Sequence, residues 1–456
     1  MHLLIRKRHR RLIPAAALWL AASAAAQEPL AERPSVLHLS MKQALDIALS
    51  PEGNNTIQIA GAETDLAAAR SREALSALLP SLDGSVNISD YTLSFSAEGF
   101  TQVPLPFGLK IPERVGPITT ADVRSTVSGN ILSLSSIRRY QSSRAGVRAA
   151  HLESDNAKEA IATQVARQYI TALRAQAEVE AVEANLRLAE ALVEQAKRLK
   201  EAGTGTGLDV TRGEVQVANE QQRLQAARSD LKQAHLNLLR TMHQNLDLDL
   251  DLTDRLRYVP VDPVTLAQAK SLAEKKRPDL NAQKQREEVS RLALSASRME
   301  QWPSIAGFAN YGSTGNVEQG TLPTYTFGVA VRVPVYDSGR RRALAAETSA
   351  QYREQKLRTQ DLSDQIELEI RLALERLESA EQQMKTAQAG LALAESELEQ
   401  VNRRFREGVA TGLEVTDSQT RLARARDNQI QALYVHNLGR IDLSHAMGSV
   451  LEMVEK

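Results

Sequence analysis

From Ile370 to Phe405 the chain places Ile370, Ala373, Leu377, Ala380, Met384, Ala387, Leu391, Ala394, Leu398, Val401 and Phe405 at spacings that alternate three and four without a break. A sustained 3.5-residue period demands coiled-coil packing, and the recurrent alanines let helix axes approach closely. The same period runs through Val165, Ala172, Ala175, Val179, Val182, Leu186, Ala189, Val193 and Ala196. At 1.5 Å per residue, a helix of roughly 65 residues spans about 100 Å. No compact domain needs that length, and helices packed through Ala and Leu need few rings, in keeping with 4% aromatic residues.

The two seams belong to two copies of one unit. Gly203-Thr204-Gly205-Thr206-Gly207-Leu208-Asp209-Val210-Thr211 returns as Gly408-Val409-Ala410-Thr411-Gly412-Leu413-Glu414-Val415-Thr416, in constant register. A repeat this long means that the fold is a duplicated supersecondary unit. The first copy spans 57–244, with a helix, a β-hairpin over 84–134, a long helix over 136–202 and a return helix over 208–243. The second spans 280–448, with a helix, a hairpin over 304–336 whose strands run from Ser304 to Tyr311 and from Tyr325 to Tyr336 about a Gly/Thr/Pro-rich loop, a long helix over 340–407 and a return helix over 413–447. Residues 27–56 form an N-terminal extension, 245–279 a linker and 449–456 a tail. Ser40 with Gln43 is a capping-box pattern that opens a short helix to Leu49, before a breaker cluster at Pro51-Glu52-Gly53. In the linker, Leu246, Leu248, Leu250 and Leu252 alternate with aspartates as a short strand, and Asp262-Pro263 reads as N-cap and N1 of another helix.

The hairpins change the period from helical to two. Tyr91, Leu93 and Phe95 alternate with Thr92 and Ser94, whereas Val86 and Ile88 sit on the other phase, so a bulge is expected near Asp90. A Pro/Gly-rich loop is expected from about Gly99 to Thr120. Tyr325, Phe327, Val329, Val331, Val333 and Val335 share one face of the last strand, against Thr326, Gly328, Ala330 and Arg332. Bulky apolar residues on one face and small or polar ones on the other suit lipid outside and water inside. Four strands cannot close a barrel, because the smallest membrane barrels use about eight. An open edge cannot face hydrocarbon. Strands that span a membrane here therefore imply a barrel built from several copies of the chain.

The chain begins with a basic run, Arg6 to Arg11, then an apolar stretch Leu12 to Ala22 and an Ala24-Ala25-Ala26 cleavage site, so residues 1–26 read as a secretory signal peptide. The 456 residues contain no cysteine, which removes disulfides, thiol chemistry and an N-terminal lipidated Cys. A net charge of +0 leaves no basic footprint for nucleic acid. Gly203 to Gly207 resembles a phosphate-cradling loop, but such loops follow a strand, and this one joins two helices. His38, His151, His235, His243, His436 and His445 form no i, i+4 pair, His235 and His243 reading as helix-surface residues, and no nucleophile elbow occurs. The expectation is no metal, no cofactor and no enzymatic activity.

These features together resemble the TolC-like outer membrane efflux protein family, the outer membrane factors. The resemblance rests on the duplicated strand-strand-helix-helix order, Arg277-Pro278-Asp279-Leu280, Val333-Pro334-Val335-Tyr336-Asp337-Ser338-Gly339-Arg340 and the two Gly-x-x-Thr-Gly-Leu-[Asp/Glu]-Val tips. The first copy departs from the pattern, with Ile131-Leu132-Ser133-Leu134-Ser135 where Pro-x-aromatic-Asp is expected. The resemblance implies a mainly α fold with a small membrane β-barrel portion: long antiparallel coiled-coil hairpins forming an α-barrel, and four strands per chain in a shared 12-stranded barrel of a homotrimer. It implies an outer-membrane location with a periplasmic tunnel, a periplasmic adaptor (membrane fusion protein) and an inner-membrane pump as partners, and a passive exit duct for efflux or type I secretion. The implied adaptor-docking tips are Gly203, Thr206, Gly207 and Leu208 with Gly408, Thr411, Gly412 and Leu413. The implied periplasmic gate carries Glu414 and Asp417, with Asp209 and Arg212 in the corresponding stretch of the first copy, and Arg212, Arg403 or Arg404 as cations able to bridge the carboxylates. Carboxylates at helix starts also favour the helix dipole with no further role. The alternative reading of the charged helix faces is a soluble periplasmic coiled-coil scaffold.

Overall fold

The structure, a computed structural model, describes residues 36–50, 53–97, 99 and 112–455. The expected signal peptide, the tail 27–34, the Pro51-Glu52 pair and most of the first hairpin loop lie outside the described residues. In chain order the elements are β1 (Val36–Leu39), α1 (Met41–Leu49), α2 (Asn55–Ser76), β2 (Ser81–Ser94), β3 (Arg114–Leu132), α3 (Leu134–Glu201), α4 (Gly207–Thr241), β4 (Asp249–Leu252), α5 (Leu266–Lys276), α6 (Pro278–Met299), β5 (Ser304–Asn316), β6 (Gly320–Arg332), α7 (Arg340–Arg406), α8 (Gly412–Met447) and α9 (Val450–Glu455).

The 68 residues of α3 and the 67 of α7 are the two long rods. Every seam position named above is buried or half-buried in both of them. Below the sheet, α2, α3, α6 and α7 lie side by side in that order; toward the far end α4 replaces α2 beside α3, and α8 replaces α6 between α3 and α7. The layer therefore has two lateral edges, one made by α2 and α4, the other by α7.

Strands β2, β3, β5 and β6 form one antiparallel sheet in that order. The register puts Leu82, Val86 and Ile88 beside Val127, Val123 and Ala121, and carries the same face through Ala309 and Tyr311 to Phe327 and Tyr325. This apolar face is bare: Leu82, Val86, Ile88, Tyr311, Tyr325, Phe327, Val329 and Val331 are all between 63% and 73%, or in the case of Phe327 77%, exposed. The opposite face is polar, with Arg124 donating to Asn310 at 2.8 Å and Ser89 within 3.1 Å of Thr120. Among the described residues β2 pairs only with β3, and β6 only with β5, so both sheet edges are open.

Several boundaries differ from the sequence expectation. Strand β3 begins at Arg114, inside the expected loop, because Arg114 and Val115 pair with Ser94 and Leu93 of β2 beyond a bulge that passes over Gly116 and Pro117, the latter having no N–H to give a ladder. That bulge falls between Tyr91 and Leu93. Strand β5 runs on to Asn316 because Gly312 to Gly315 are paired on both sides. Strand β6 stops at Arg332, so Val333 and Val335 leave the sheet at Pro334. Helix α3 starts at Leu134, capped by Ser133, whose Oγ accepts from the Ser136 N–H. Helix α4 ends at Thr241, and His243 takes the left-handed φ of 54° beyond its C-cap; His235 is half-buried on the same helix. Helix α5 is capped by Thr265 with Gln268, not by Asp262.

An equatorial belt packs around the middle of the rods. Strands β1 and β4 pair in parallel, and Leu39, Leu45, Leu250 and Leu252 bury against Val165, Tyr169, Leu238 and Ile441. The Tyr169 hydroxyl donates to Asp254 at 2.7 Å. Arg277, 4% exposed, donates to Asp279 at 2.7 Å, to Glu369 at 2.6 Å and to the Ala446 carbonyl at 3.4 Å, tying α6, α7 and α8 together. Nearby, buried Glu159 of α3 accepts from the Val450 N–H at 2.8 Å.

Burial pushes the Glu159 carboxyl above its ordinary value of 4.5, against the lowering effect of the Val450 N–H. The folded state thus holds this proton more tightly than the unfolded one. The associated stability is present below about pH 4.5 and lost as pH rises through the folded value. Glu159→Gln keeps the acceptor and removes the buried charge, so its melting temperature at pH 7 should equal or exceed wild type, with the advantage shrinking toward pH 4. Glu159→Ala strands the Val450 N–H and should cost on the order of 1–3 kcal/mol at either pH.

Candidate functional site at the paired helix tips

Both tips are built by the same cap chemistry. Helix α3 closes with Gly203 at φ 75°, the Gly203 N–H donating to Lys200 and the Thr204 N–H to Leu199, each at 3.0 Å. Helix α7 closes with Gly408 at φ 75°, the Gly408 N–H donating to Phe405 at 3.1 Å and the Val409 N–H to Arg404 at 2.9 Å. These are Schellman caps, which need a left-handed residue and so favour glycine. Thr206 and Thr411 then cap the return helices, accepting from the N–H of Asp209 at 3.2 Å and of Glu414 at 3.3 Å. The acid three residues after each threonine reaches back: Thr206 donates to Asp209 at 2.6 Å, and Glu414 accepts from the Thr411 N–H at 3.2 Å. The repeated motif is thus a complete turn code.

The structure places the four gate candidates differently. Glu414 is half-buried, with one oxygen in its capping box and the other 3.6 Å from Arg404. Asp417, one turn further, is exposed and lies 2.7 Å from Arg421, which also grips Glu397 of α7 at 2.7 Å. Asp209 sits against the second tip: a Cβ on Gly412 would stand 2.8 Å from its Oδ1. Arg212 is exposed and has no ion pair among the described residues. Arg403 pairs along its own helix, with Glu399 at 3.7 Å. Of the expected bridging cations Arg404 alone reaches an expected carboxylate, and Arg421 was missed, although Asp417 and Arg421 stand at helical i, i+4 spacing. The docking candidates Leu208 and Leu413 are exposed, as is Val409.

Beneath the tips, Leu192 of α3 buries with Phe405, Ala410 and Val415, so the end of the first hairpin supports the second. Each hairpin is apolar inside: Val182 meets Leu224 and Ala227 in one, and Ala394 and Leu398 meet Leu422 in the other. The seam between hairpins differs. There Arg426 donates to Asn185 at 2.7 Å and Gln419 to the Leu188 carbonyl at 3.2 Å, while Asn185 Nδ2, Gln419 Oε1 and Asp427 Oδ1 are buried without a hydrogen-bond partner. Polar groups left short of partners make this stretch of the seam less costly to separate than the apolar interior of either hairpin. Among the described residues no group of three His, Cys, Asp or Glu is placed to hold a metal.

A sheet with one apolar and one polar face, mounted on paired 100 Å-scale helices that end in capped tips, defines a protomer of the channel-tunnel class. The chain belongs to the outer membrane efflux protein family, whose model matches residues 47–242 and 270–449. It is similar to the outer membrane efflux protein BepC of Brucella suis biovar 1 (strain 1330), at 25% identity over 253 residues, 55% of each chain; the match thus spans about half the length of that relative. In fold it is similar to VceC from Vibrio cholerae (TM-score 0.75, 16% identity, 90% of this chain and 96% of that one). It is likewise similar to the MtrE channel of Neisseria gonorrhoeae in its open state (0.75, 18%, 90% and 89%) and the CmeC channel of Campylobacter jejuni (0.72, 16%, 91% and 88%).

Contact between the tips has a direct test. Gly412→Ala should displace the Asp209 carboxylate and release Thr206, raising amide exchange over residues 203–209 of the other tip. Unchanged exchange there would mean that the tips do not touch.

Proposed function

We propose that this chain forms a homotrimeric outer-membrane duct, exported by its N-terminal signal, that gives passive exit to cargo delivered by an inner-membrane pump through a periplasmic adaptor, as in tripartite efflux or type I secretion. The bare apolar sheet face carries this reading. In water such a face would be covered; against outer-membrane lipid it is at home, but only if its open edges are paired. Joining β6 of one copy to β2 of the next closes the sheet, and three copies give 12 strands. The helical layer meets the same demand. Its edges bear unfilled apolar positions, Val215 and Leu236 on α4 and Leu357, Leu368, Leu372 and Leu393 on α7, suited to neighbouring copies.

The gate belongs at the tips. Arg404–Glu414 and Arg421–Glu397 tie α7 to α8 at the second tip, and the polar seam through Asn185 and Gln419 is where the α7–α8 hairpin parts from α3–α4, the contact of Leu192 with Phe405 and Val415 opening with it. Three copies of Glu414 and Asp417 around one axis favour cations at the entrance. The exposed apolar knobs Leu208, Val409 and Leu413 suit an adaptor.

Three outcomes follow. The full chain should partition with the outer membrane and run as a trimer after detergent extraction; recovery in the soluble periplasm would support the scaffold instead. Glu414→Ala with Asp417→Ala should raise conductance or weaken cation selectivity in planar bilayers, and unaltered conductance and selectivity would remove both residues from the entrance. Gly203→Val or Gly408→Val, each strained by about 1–2 kcal/mol at its left-handed position, should abolish efflux with the trimer intact; efflux that survives both excludes the tips as the docking surface.

A further inference from the structure

Just below the sheet a hollow of about 460 Å³ is lined jointly by α2, α3, α6 and α7. Four helices laid side by side can share one hollow only on the concave side of their layer. In the trimeric duct proposed above, on which this inference rests, that side is the lumen. The walls divide by chemistry. Val289, Ala293 and Leu344 supply an apolar floor, and Arg70, Arg139 and Glu300 supply the charge.

The charge does not balance. Glu300, whose side chain is 12% exposed, receives Arg139 from α3, and Arg340 of α7 stands 3.7 Å from its second oxygen. One carboxylate thus serves two guanidiniums. Arg70, on the opposite wall, has no ion pair or hydrogen bond among the described residues and is exposed to the hollow. The nearby hydroxyls are already committed within the protein: Ser142 donates to the Val289 carbonyl at 2.9 Å, and Ser297 lies 2.7 Å from Thr348. What the hollow lacks is an anion, and what its floor accepts is an apolar body.

We propose that this hollow is a lumenal binding site for amphiphilic organic anions, in which Arg70 and Arg139 hold a carboxylate or sulfonate and the Val289–Leu344 floor takes the apolar part. A guanidinium presents a planar fork of donors matched to such groups, and a site walled on one side by protein screens the pairing less than open water does. In a trimer three such sites form a cationic collar between the α-tunnel and the barrel. The collar lies at the opposite end of the tunnel from the acidic tips, so a zwitterionic or anionic amphiphile is retained where a simple cation is not.

The test compares 2-naphthoate with its uncharged isostere 2-naphthamide, titrated calorimetrically into the detergent-extracted full-length protein. Oligomeric state and bilayer current are measured on the same sample. Wild type should bind naphthoate at least tenfold more tightly than naphthamide. Arg70→Gln should reduce that preference to threefold or less, and Arg70→Lys should restore most of it. Because Arg139 also braces Glu300, Arg70 is the cleaner position to vary. Equal binding of the two probes by wild type, or a preference untouched in Arg70→Gln, would overturn the site. Charge-selective binding without a trimer or current would retain the site and overturn the duct, whereas current without charge selectivity would do the reverse.

Discussion

A β-sheet edge carries a row of backbone N–H and C=O groups, and hydrocarbon offers them nothing. That constraint governs the rest of the molecule. The sheet β2-β3-β5-β6 presents an apolar face to its surroundings and, among the described residues, leaves both edges unpaired within one chain. Duplication alone cannot cure this, since two hairpins give four strands, half of what the smallest membrane barrels use. The proposed assembly cures it, and in that assembly the helices below inherit its symmetry. Their layer also ends in two edges with unfilled apolar positions.

Much of this is legible in the sequence because it is periodic. The seam from Ile370 to Phe405 and the strand from Tyr325 to Val331 repeat at the periods of helix and strand, and the structure buries or exposes them accordingly. The tips are legible for another reason. Gly408, Thr411 and Glu414 encode a C-cap, an N-cap and a capping box within seven residues, so local chemistry suffices. The strand ends were harder. Gly116-Pro117 and Gly312 to Gly315 read as loop by composition, yet they lie within paired strands whose neighbours supply the ladder. A barrel strand needs bulk only on its outer face, so polar and glycine residues there are poor evidence of a loop.

The contacts around the candidate gate were legible only in part. Glu414 with Thr411 follows from spacing of three, and Asp417 with Arg421 from spacing of four. Glu397 with Arg421 depends on how the two arms of one hairpin are aligned, and Asp209 against Gly412 on how the two hairpins are, which no local pattern specifies. The same holds for Arg139 with Glu300, which joins the first turns of α3 to the end of α6. Cross-hairpin partners of this kind record the register of the duplicated halves against each other.

Arg277 shows what that register does mechanically. Its guanidinium binds Asp279, Glu369 and the Ala446 carbonyl at one buried point. Below Glu369, helix α7 continues unbroken to Arg406. That stretch is a lever arm of about 55 Å with its fulcrum at the belt. A rotation of about 5° at the fulcrum carries the tip through about 5 Å, enough to break the packing of Phe405 and Val415 on Leu192 of α3. In the proposed trimer, the same rotation above the fulcrum meets a sheet that closure makes stiff. That assembly would join a fixed collar to a compliant end, and the belt would decide where one becomes the other.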